Sequence, residues 1–244
     1  MITRRKAPRP RLVFGGRDLS RLFVVTGVSR PLVAELTVDT VAVPGGDGAH
    51  VQGASIGATE VTVSGYIAAE SDREVARARR ELDRALFSRE PLPLQLPDDP
   101  DLYLMAIYKG GSAPTRHRSW PTLDLTFTVP DPVAYGRHRT AEVSGTSTVM
   151  AGGTYPARPV VTAVPPAGAE YWQITDVGTG RFVRVRASFT GAAAVELDMG
   201  LERCRVNGHD HAVDVTSDYF ALDGECEIAV SSGTATLEWD ERWV

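Results

Sequence analysis

Apolar and polar residues alternate with a period of two along several stretches of the first 130 residues. Such alternation predicts strands with one buried face. The stretches span residues 32–43, 59–69, 102–108 and 120–129. In the first, the alternation slips before Val41, which would accommodate a β-bulge. The last two flank a glycine-containing turn at 110–114, so they predict a hairpin.

One segment has helical periodicity instead. Ser71 with Glu74 three residues later forms a capping box, in which the serine side chain satisfies a free amide of the first turn. The apolar residues that follow at helical spacing are Val75, Ala78, Leu82, Ala85 and Leu86. Pro91 prevents continuation. We therefore predict one helix that covers a face of a sheet.

The second half resumes a pattern of short strands. Residues 141–155 are rich in Gly, Ser, Thr and Ala and predict a linker. Short strands separated by turns, including a hairpin turn at Asn207-Gly208, favour a β-sandwich. They are predicted at 160–164, 172–176, 182–185, 194–199, 203–206, 227–230 and 236–239. The prediction is a mainly β protein: a barrel- or sandwich-like N-terminal domain with one helix (1–140), a linker (141–157) and a C-terminal β-sandwich (158–244).

Composition limits the class of protein. The chain has 244 residues, 43% of them hydrophobic and 23% charged, with a formal net charge of −5. This is typical of a globular protein and gives no reason to expect nucleic-acid binding. The first eleven residues are basic, but no apolar stretch follows that would make a signal peptide or a membrane helix. We expect a protein that is synthesised in soluble form in a cytoplasm.

Two cysteines, Cys204 and Cys226, lie in the last third of the chain. Neither belongs to a CxxC motif, so the usual zinc signal is absent. Cytoplasmic synthesis favours free thiols, while a disulfide between the two remains an open alternative.

Motifs that carry chemistry are sparse. The sequence contains no P-loop, GxSxG or HExxH motif. The glycine run at 44–48 lacks the lysine and following helix of a phosphate loop, and the acidic run Asp98, Asp99 and Asp101 is interleaved with prolines, as in an exposed turn. His209, Asp210, His211 and Asp214 are residue types that bind metals, but they adjoin a turn where polar side chains are usually solvated. We predict no catalytic, cofactor or metal site.

Aromatic residues of the C-terminal domain admit two interpretations. Tyr171, Trp172, Trp239 and Trp243 could stack on the apolar faces of sugar rings if they are exposed side by side. We favour core or interface packing, because a domain of this size needs their apolar area. In particular, we expect Trp172 to be buried and Trp239 and Trp243 to pack in the core or against a neighbour.

The order of these features resembles the distal tail proteins of long-tailed phages. The N-terminal segments that carry the resemblance are Phe14–Ser20, Val25–Pro31, Val43–Gly48, Val61–Gly65, Leu96–Asp99 with Tyr103, Phe127–Pro132 and Tyr135–Gly136. The C-terminal segments are Val206–Gly208, Ser217–Leu222 and the closing Trp239 and Trp243. Together they cover most of the chain.

The resemblance implies a non-enzymatic structural protein of the virion tail tip or baseplate. N-terminal domains, most often six, would form a ring that continues the tail tube, and galectin-like C-terminal sandwiches would project outward. Expected partners are further copies of the chain, the tail tube protein, the tape measure protein, the tail-tip hub and, for host attachment, receptor-binding proteins. DNA would only pass through the lumen, which an acidic protein would not hold. The alternative is a carbohydrate-binding module that contacts the host surface.

Overall fold

The computed structural model describes residues 11–32, 35–43, 45–69, 71–112, 120–191 and 193–244. The chain divides into two compact units, Met1–Ala134 and Tyr135–Val244. This boundary lies before residue 140, where the sequence analysis placed the end of the first domain. In the described residues, no helix has both the length and the apolar character that crossing a bilayer requires.

The described residues of unit 1 form a series of antiparallel strands and one helix. Its elements are β1 (Val13–Phe14), β2 (Arg17–Asp18), β3 (Val24–Ser29), β4 (Leu36–Ala42), β5 (Ala49–Ile56), β6 (Thr59–Tyr66), α1 (Asp72–Leu86), β7 (Leu92–Leu96), β8 (Asp99–Gly111) and β9 (Thr122–Val129). The strands pair in the order β2-β1-β7-β8-β9-β6-β3. The first part of β8 pairs with β7, and its second part pairs with β9.

The core of unit 1 lies between this sheet and α1. The predicted inward residues of β6, Val61 and Val63, are buried, as are Leu125 and Phe127 of β9. Phe127 contacts two other rings, with centroids 5.3 Å from Phe14 and 5.6 Å from Tyr108. The predicted pairing of the two strands is confirmed as the β8–β9 pair, but Gly110 and Gly111, which were predicted to lie in the turn, are paired residues of β8. Ala113 and Pro114 lie outside the described residues.

Helix α1 confirms the predicted cap and periodicity. The amide of Glu74 donates to Ser71 Oγ at 3.3 Å. Leu82 and Leu86 are buried, and Val75, Ala78 and Ala85 pack against the same core. The helix ends at Leu86, before Pro91, because Phe87 has an extended backbone conformation.

The predicted strand at 32–43 is β4, which pairs with the following strand β5 instead of joining the main sheet. The register of the pair shifts between Asp39 and Thr40, but the extra residue is Gln52 of β5, so the bulge predicted within β4 is wrong in its position. Val33 and Ala34 lie outside the described residues. The sequence interpretation missed β5, because its Gly and Ala residues weaken the alternation between apolar and polar positions.

Unit 2 is a sandwich of short strands together with two long strands, β10 and β17. Its elements are β10 (Ala134–Met150), which begins at the unit boundary, β11 (Val160–Ala163), β12 (Tyr171–Asp176), β13 (Phe182–Arg186), β14 (Val195–Asp198), β15 (Arg203–Val206), β16 (His209–Asp210) and β17 (Glu225–Trp243). One series runs β16-β15-β14-β11-β17, and a second runs β13-β12-β17. β10 also pairs with β17. Trp172, Ile174, Leu197 and Leu237 are among the fully buried core residues.

Two sequence predictions for this unit need correction. The two strands predicted at 227–230 and 236–239 are parts of one strand, β17, which pairs first with β12 and then with β11. The predicted linker at 141–157 is not a loose connection, because residues up to Met150 belong to β10. Only Val143 and Val149 of residues 141–150 are buried. Most side chains of this part of β10 are therefore small or polar, and its composition looks like that of a linker.

We predict that Gly65→Ala destabilises unit 1. A Cβ at Gly65 would overlap the backbone oxygen of Val24 and the ring of Phe23, and overpacking of this kind costs about 1–3 kcal/mol. Denaturant unfolding should show the loss. Gly27→Ala in β3 is the control, since a Cβ there meets no atom within 4 Å. Equal stability of the two variants would contradict this account of Gly65.

Candidate interaction surfaces

The β4–β5 pair, here called the hairpin, has one apolar face. Side chains alternate between faces along a strand, so Leu36 and Val38 share a face with their partners Ile56 and Ala54 and, beyond the bulge, with Val51. Leu36 is 54%, Val38 48% and Val51 66% exposed. Contiguous exposed apolar area of this kind marks an interaction surface.

The opposite face of the hairpin is mainly polar, although Val41 lies on it opposite His50 and is 47% exposed. Thr37 pairs with Ser55, and Asp39 pairs with Gly53. A two-stranded sheet is at best marginally stable alone in water. The hairpin should therefore become more stable when a partner covers its apolar face.

Unit 1 also has open strand edges. Among the described residues, β3 pairs only with β6, and β4 pairs only with β5. Each edge leaves a row of backbone donors and acceptors available to another chain.

Unit 2 covers the comparable edge of β13. The amides of Asp214 and Asp218 donate to the carbonyl oxygens of Arg184 and Phe182, both at 2.8 Å. Among the described residues, the short β16 at the other end of this unit pairs only with β15.

The structure does not expose the predicted glycan-contact residues together. Trp172 is 0% and Trp239 5% exposed. Their indole nitrogens donate to the carbonyl oxygens of Ser232 at 3.1 Å and Ala151 at 2.7 Å. Both expectations of core packing are thus confirmed.

The other two aromatics differ from these. Trp243 is half-buried beside Gly136, and its indole nitrogen has no hydrogen-bond partner among the described residues. Tyr171 is 41% exposed, with the Arg184 guanidinium 5.0 Å from its ring centre. Only Tyr171 of the four therefore presents a substantially exposed ring.

The polar cluster near the Asn207-Gly208 turn is engaged with protein groups. Asp210 pairs with Arg205 at 3.3 Å, and His211 Nδ1 lies 2.8 Å from the Ala212 carbonyl oxygen. In the part of the chain that the structure describes, no group of three or more His, Cys, Asp or Glu residues is placed to hold a metal. His209 lies exposed in β16.

Asp214 has a structural role in this region. Arg186 Nε donates to its carboxylate at 2.8 Å. This hydrogen bond, with a further one from the Thr216 amide, lowers the pKa of Asp214. The carboxylate therefore stabilises the segment that covers the edge of β13.

Two other acidic or glycine-rich segments also have local structural roles. Asp98 and Asp99 form ion pairs with Arg30 at 3.2 and 3.7 Å. Gly45 and Gly48 have positive φ, as the turn between β4 and β5 requires. Pro44 lies outside the described residues.

Both cysteines are free and buried. Burial raises the pKa of Cys204 to about 11. A thiol with a raised pKa is a poor nucleophile at neutral pH. The structure therefore contains no disulfide between Cys204 and Cys226.

Comparison with known proteins gives matches to both units. A family model described as a phage tail protein RIFT-related domain matches residues 17–129. A second model, described as a siphovirus-type tail component, C-terminal domain, matches residues 152–243. The distal tail protein of Bacillus phage SPP1 is 25% identical over 218 residues, which is 86% of each chain.

Solved structures share the fold. The crystal structure of SPP1 Dit, described as a paradigm of hub adsorption apparatus in phages that infect Gram-positive hosts, is 20% identical, with a TM-score of 0.83 over 96% of this chain and 99% of that one. A chain of the phage p2 baseplate in its activated conformation with Sr is 7% identical, with a TM-score of 0.51 over 94% of this chain and 96% of that one.

We predict that Asp214 contributes pH-dependent stability. Its pKa in the folded protein lies below the ordinary value of 3.8, so its contribution is complete above that pH and is lost as the pH falls through the lowered value. Asp214→Asn should lower the melting temperature at neutral pH, and the difference should vanish in acid. Asp218→Asn is the control, since that side chain is 63% exposed. A difference that persists in acid would contradict the prediction.

We predict that acrylamide quenches mainly one tryptophan. Trp120 is 54% exposed, whereas Trp172 and Trp239 are shielded. Trp120→Phe should therefore remove most of the quenchable emission, and galactose or N-acetylglucosamine should leave it unchanged. Strong quenching in Trp120→Phe that either sugar relieves would instead support a glycan site in unit 2.

Proposed function

We infer that this chain, which belongs to the phage distal tail protein family, assembles through unit 1 into a ring at the tip of the tail. It is a structural component of the virion tail. The ring, its partners and its exact place in the tail tip are the parts that we propose.

The exposed hairpin is the main observation that supports the proposed ring. Its apolar face and the open edges of unit 1 are surfaces that a neighbouring copy can cover. Contacts between two different patches of the same protein generate a closed ring when the rotation between copies closes. A ring covers both patches on every copy, which a single chain cannot do.

Six copies are the number that we propose, by similarity to the family. The ring would continue the tail tube and contact the tube protein and the tape measure protein on one side and the tail-tip hub on the other. DNA would pass through its lumen without being bound, consistent with the net charge of −5.

Unit 2 would project from the ring as a docking module, in some phages for receptor-binding proteins. Its well-packed core and covered β13 edge support a body that is stable without further copies. Trp172 and Trp239, which a carbohydrate-binding surface would need to expose, lie in the core. The ring-forming role is therefore the function that we propose, and the relatives that the chain matches are structural proteins.

We predict that the purified protein forms six-membered rings, visible by negative-stain electron microscopy and measurable by mass photometry. Val38→Asp with Val51→Asp should shift the protein to monomers, because charges would have to be buried. The matched control is Val164→Asp with Val177→Asp, at valines of similar exposure in unit 2. A wild-type protein that remains monomeric in concentrated solution and in assembled tails would contradict the proposal.

A further inference from the structure

The polar face of the hairpin is acidic. Glu35 and Asp39 share this face with Thr37, because alternate residues of a strand point to the same side. The amide of Gly57 donates to the Glu35 carbonyl oxygen at 3.1 Å, which extends the pairing of the two strands to this residue. Asp47 lies exposed between β4 and β5. The carboxylates of the hairpin strand thus lie on the face opposite its apolar side chains.

The hairpin has no lysine or arginine of its own to balance these carboxylates. None occurs between Arg30 and Arg73, a segment that contains the entire hairpin. In the part of the chain that the structure describes, Glu35, Asp39 and Asp47 also form no ion pair with another residue. Like charges without a counter-charge repel each other, so a cationic partner would stabilise this face.

Residues 1–10, which lie outside the described residues, have the opposite charge. Their basic residues are Arg4, Arg5, Lys6 and Arg9. The first acidic residue of the chain is Asp18. Pro8 and Pro10 disfavour a helix and favour an extended backbone. The segment is therefore suited to lie along an extended acidic surface.

The basic residues have the same spacing as the carboxylates. In an extended segment Arg5 and Arg9, which are four residues apart, project to the same side. Glu35 and Asp39 are also four residues apart on one face, which is about 13 Å at the rise of a strand. Two ion pairs can therefore form at once when the segment lies along β4.

The N-terminal segment and the hairpin also begin at the same place in unit 1. Val13 pairs with Gln95, close to the turn between β7 and β8. Arg30, at the end of β3, forms ion pairs with Asp98 and Asp99 of that turn at 3.2 and 3.7 Å. Ten extended residues span at most about 35 Å, and the seven residues of β4 rise about 23 Å. The segment is therefore long enough to follow the hairpin from its base.

We propose that residues 1–10 dock along the polar face of the hairpin of the same copy, with Arg5 and Arg9 opposite Glu35 and Asp39. The charge, the spacing and the starting point of the segment all match this face. The inference does not rest on the proposed ring. Docking would leave the apolar face of the hairpin free and would hold the hairpin in one orientation, in which a neighbouring copy can meet it.

The first test is a disulfide cross-link within the full-length protein. Ala7 lies between Arg5 and Arg9 and projects to the same side, so Ala7→Cys with Thr37→Cys should form a bond under mild oxidation. The matched control is Ala7→Cys with Val38→Cys, which places the second thiol on the apolar face and should react about tenfold more slowly. The native cysteines are buried. Peptide mass spectrometry identifies the bond, and a non-reducing gel shows whether it joins one chain or two.

The second test reverses the charges in the Ala7→Cys with Thr37→Cys background. Glu35→Lys with Asp39→Lys should slow the cross-link by about tenfold, because two attractive pairs become repulsive. Further reversal of the segment, by Arg5→Glu with Arg9→Glu, should restore the rate. Glu170→Lys with Glu225→Lys is the control, since it changes the net charge equally at two exposed residues of unit 2 and should leave the rate unchanged. Thermal unfolding shows that each variant is folded.

The outcomes separate this inference from the proposed function. A bond within one chain that forms faster at position 37 than at 38, and that follows the charge reversals, supports the inference. Equal rates at the two positions, or a restored rate that does not appear, would overturn it. A bond that joins two chains would also overturn it, because the segment would then lie on another copy. Since the bond is measured within one chain, the absence of rings would count against the proposed function alone.

Discussion

The requirement that every strand edge finds a partner is the constraint on which this structure depends. Unpaired backbone groups at an edge are satisfied by water, by another element or by another chain. Unit 2 satisfies the edge of β13 with the backbone of its 214–218 segment. Unit 1 leaves β3 and the hairpin open among its described residues. Unit 2 therefore covers an edge with its own chain, whereas unit 1 has surfaces that suit repetition.

A buried carboxylate shows how closely unit 2 is packed where its first and last strands meet. Glu241 is 6% exposed and accepts from Arg139 Nε at 2.6 Å. Burial of a charge is costly unless a partner compensates it. Gly152 lies so close to this pair that a Cβ there would be 2.8 Å from Glu241 Oε1. Gly152 thus allows close packing at this point, which is why the glycine content of residues 141–155 wrongly suggested a loose linker.

Local patterns predicted most of the secondary structure. The α1 cap, the inward faces of β6 and β9, and the turn at Asn207-Gly208, where both residues have positive φ, depend on neighbouring residues only. The continuity of β17 and the strand conformation of β10 depend on pairing with strands that are distant in the sequence. The periodicity of a segment contains no information about such partners. Strand β5 was missed although its partner β4 is adjacent in the chain, because its Gly and Ala residues weaken the alternation between apolar and polar positions. The family resemblance, by contrast, depended on the order of motifs and covered both units.

The single strand β17 has a mechanical consequence. It is antiparallel to β12 along one part and to β11 along another, and its last residues are also held by Thr154, whose hydroxyl accepts from the Val244 amide at 3.0 Å. A pull on the carboxyl end acts along the strand, across hydrogen bonds that lie perpendicular to it. Both series of strands would then bear the load in shear, many bonds at once, instead of opening one bond after another. A body built in this way transmits force from a tether at its end to the rest of its sheet without first unravelling.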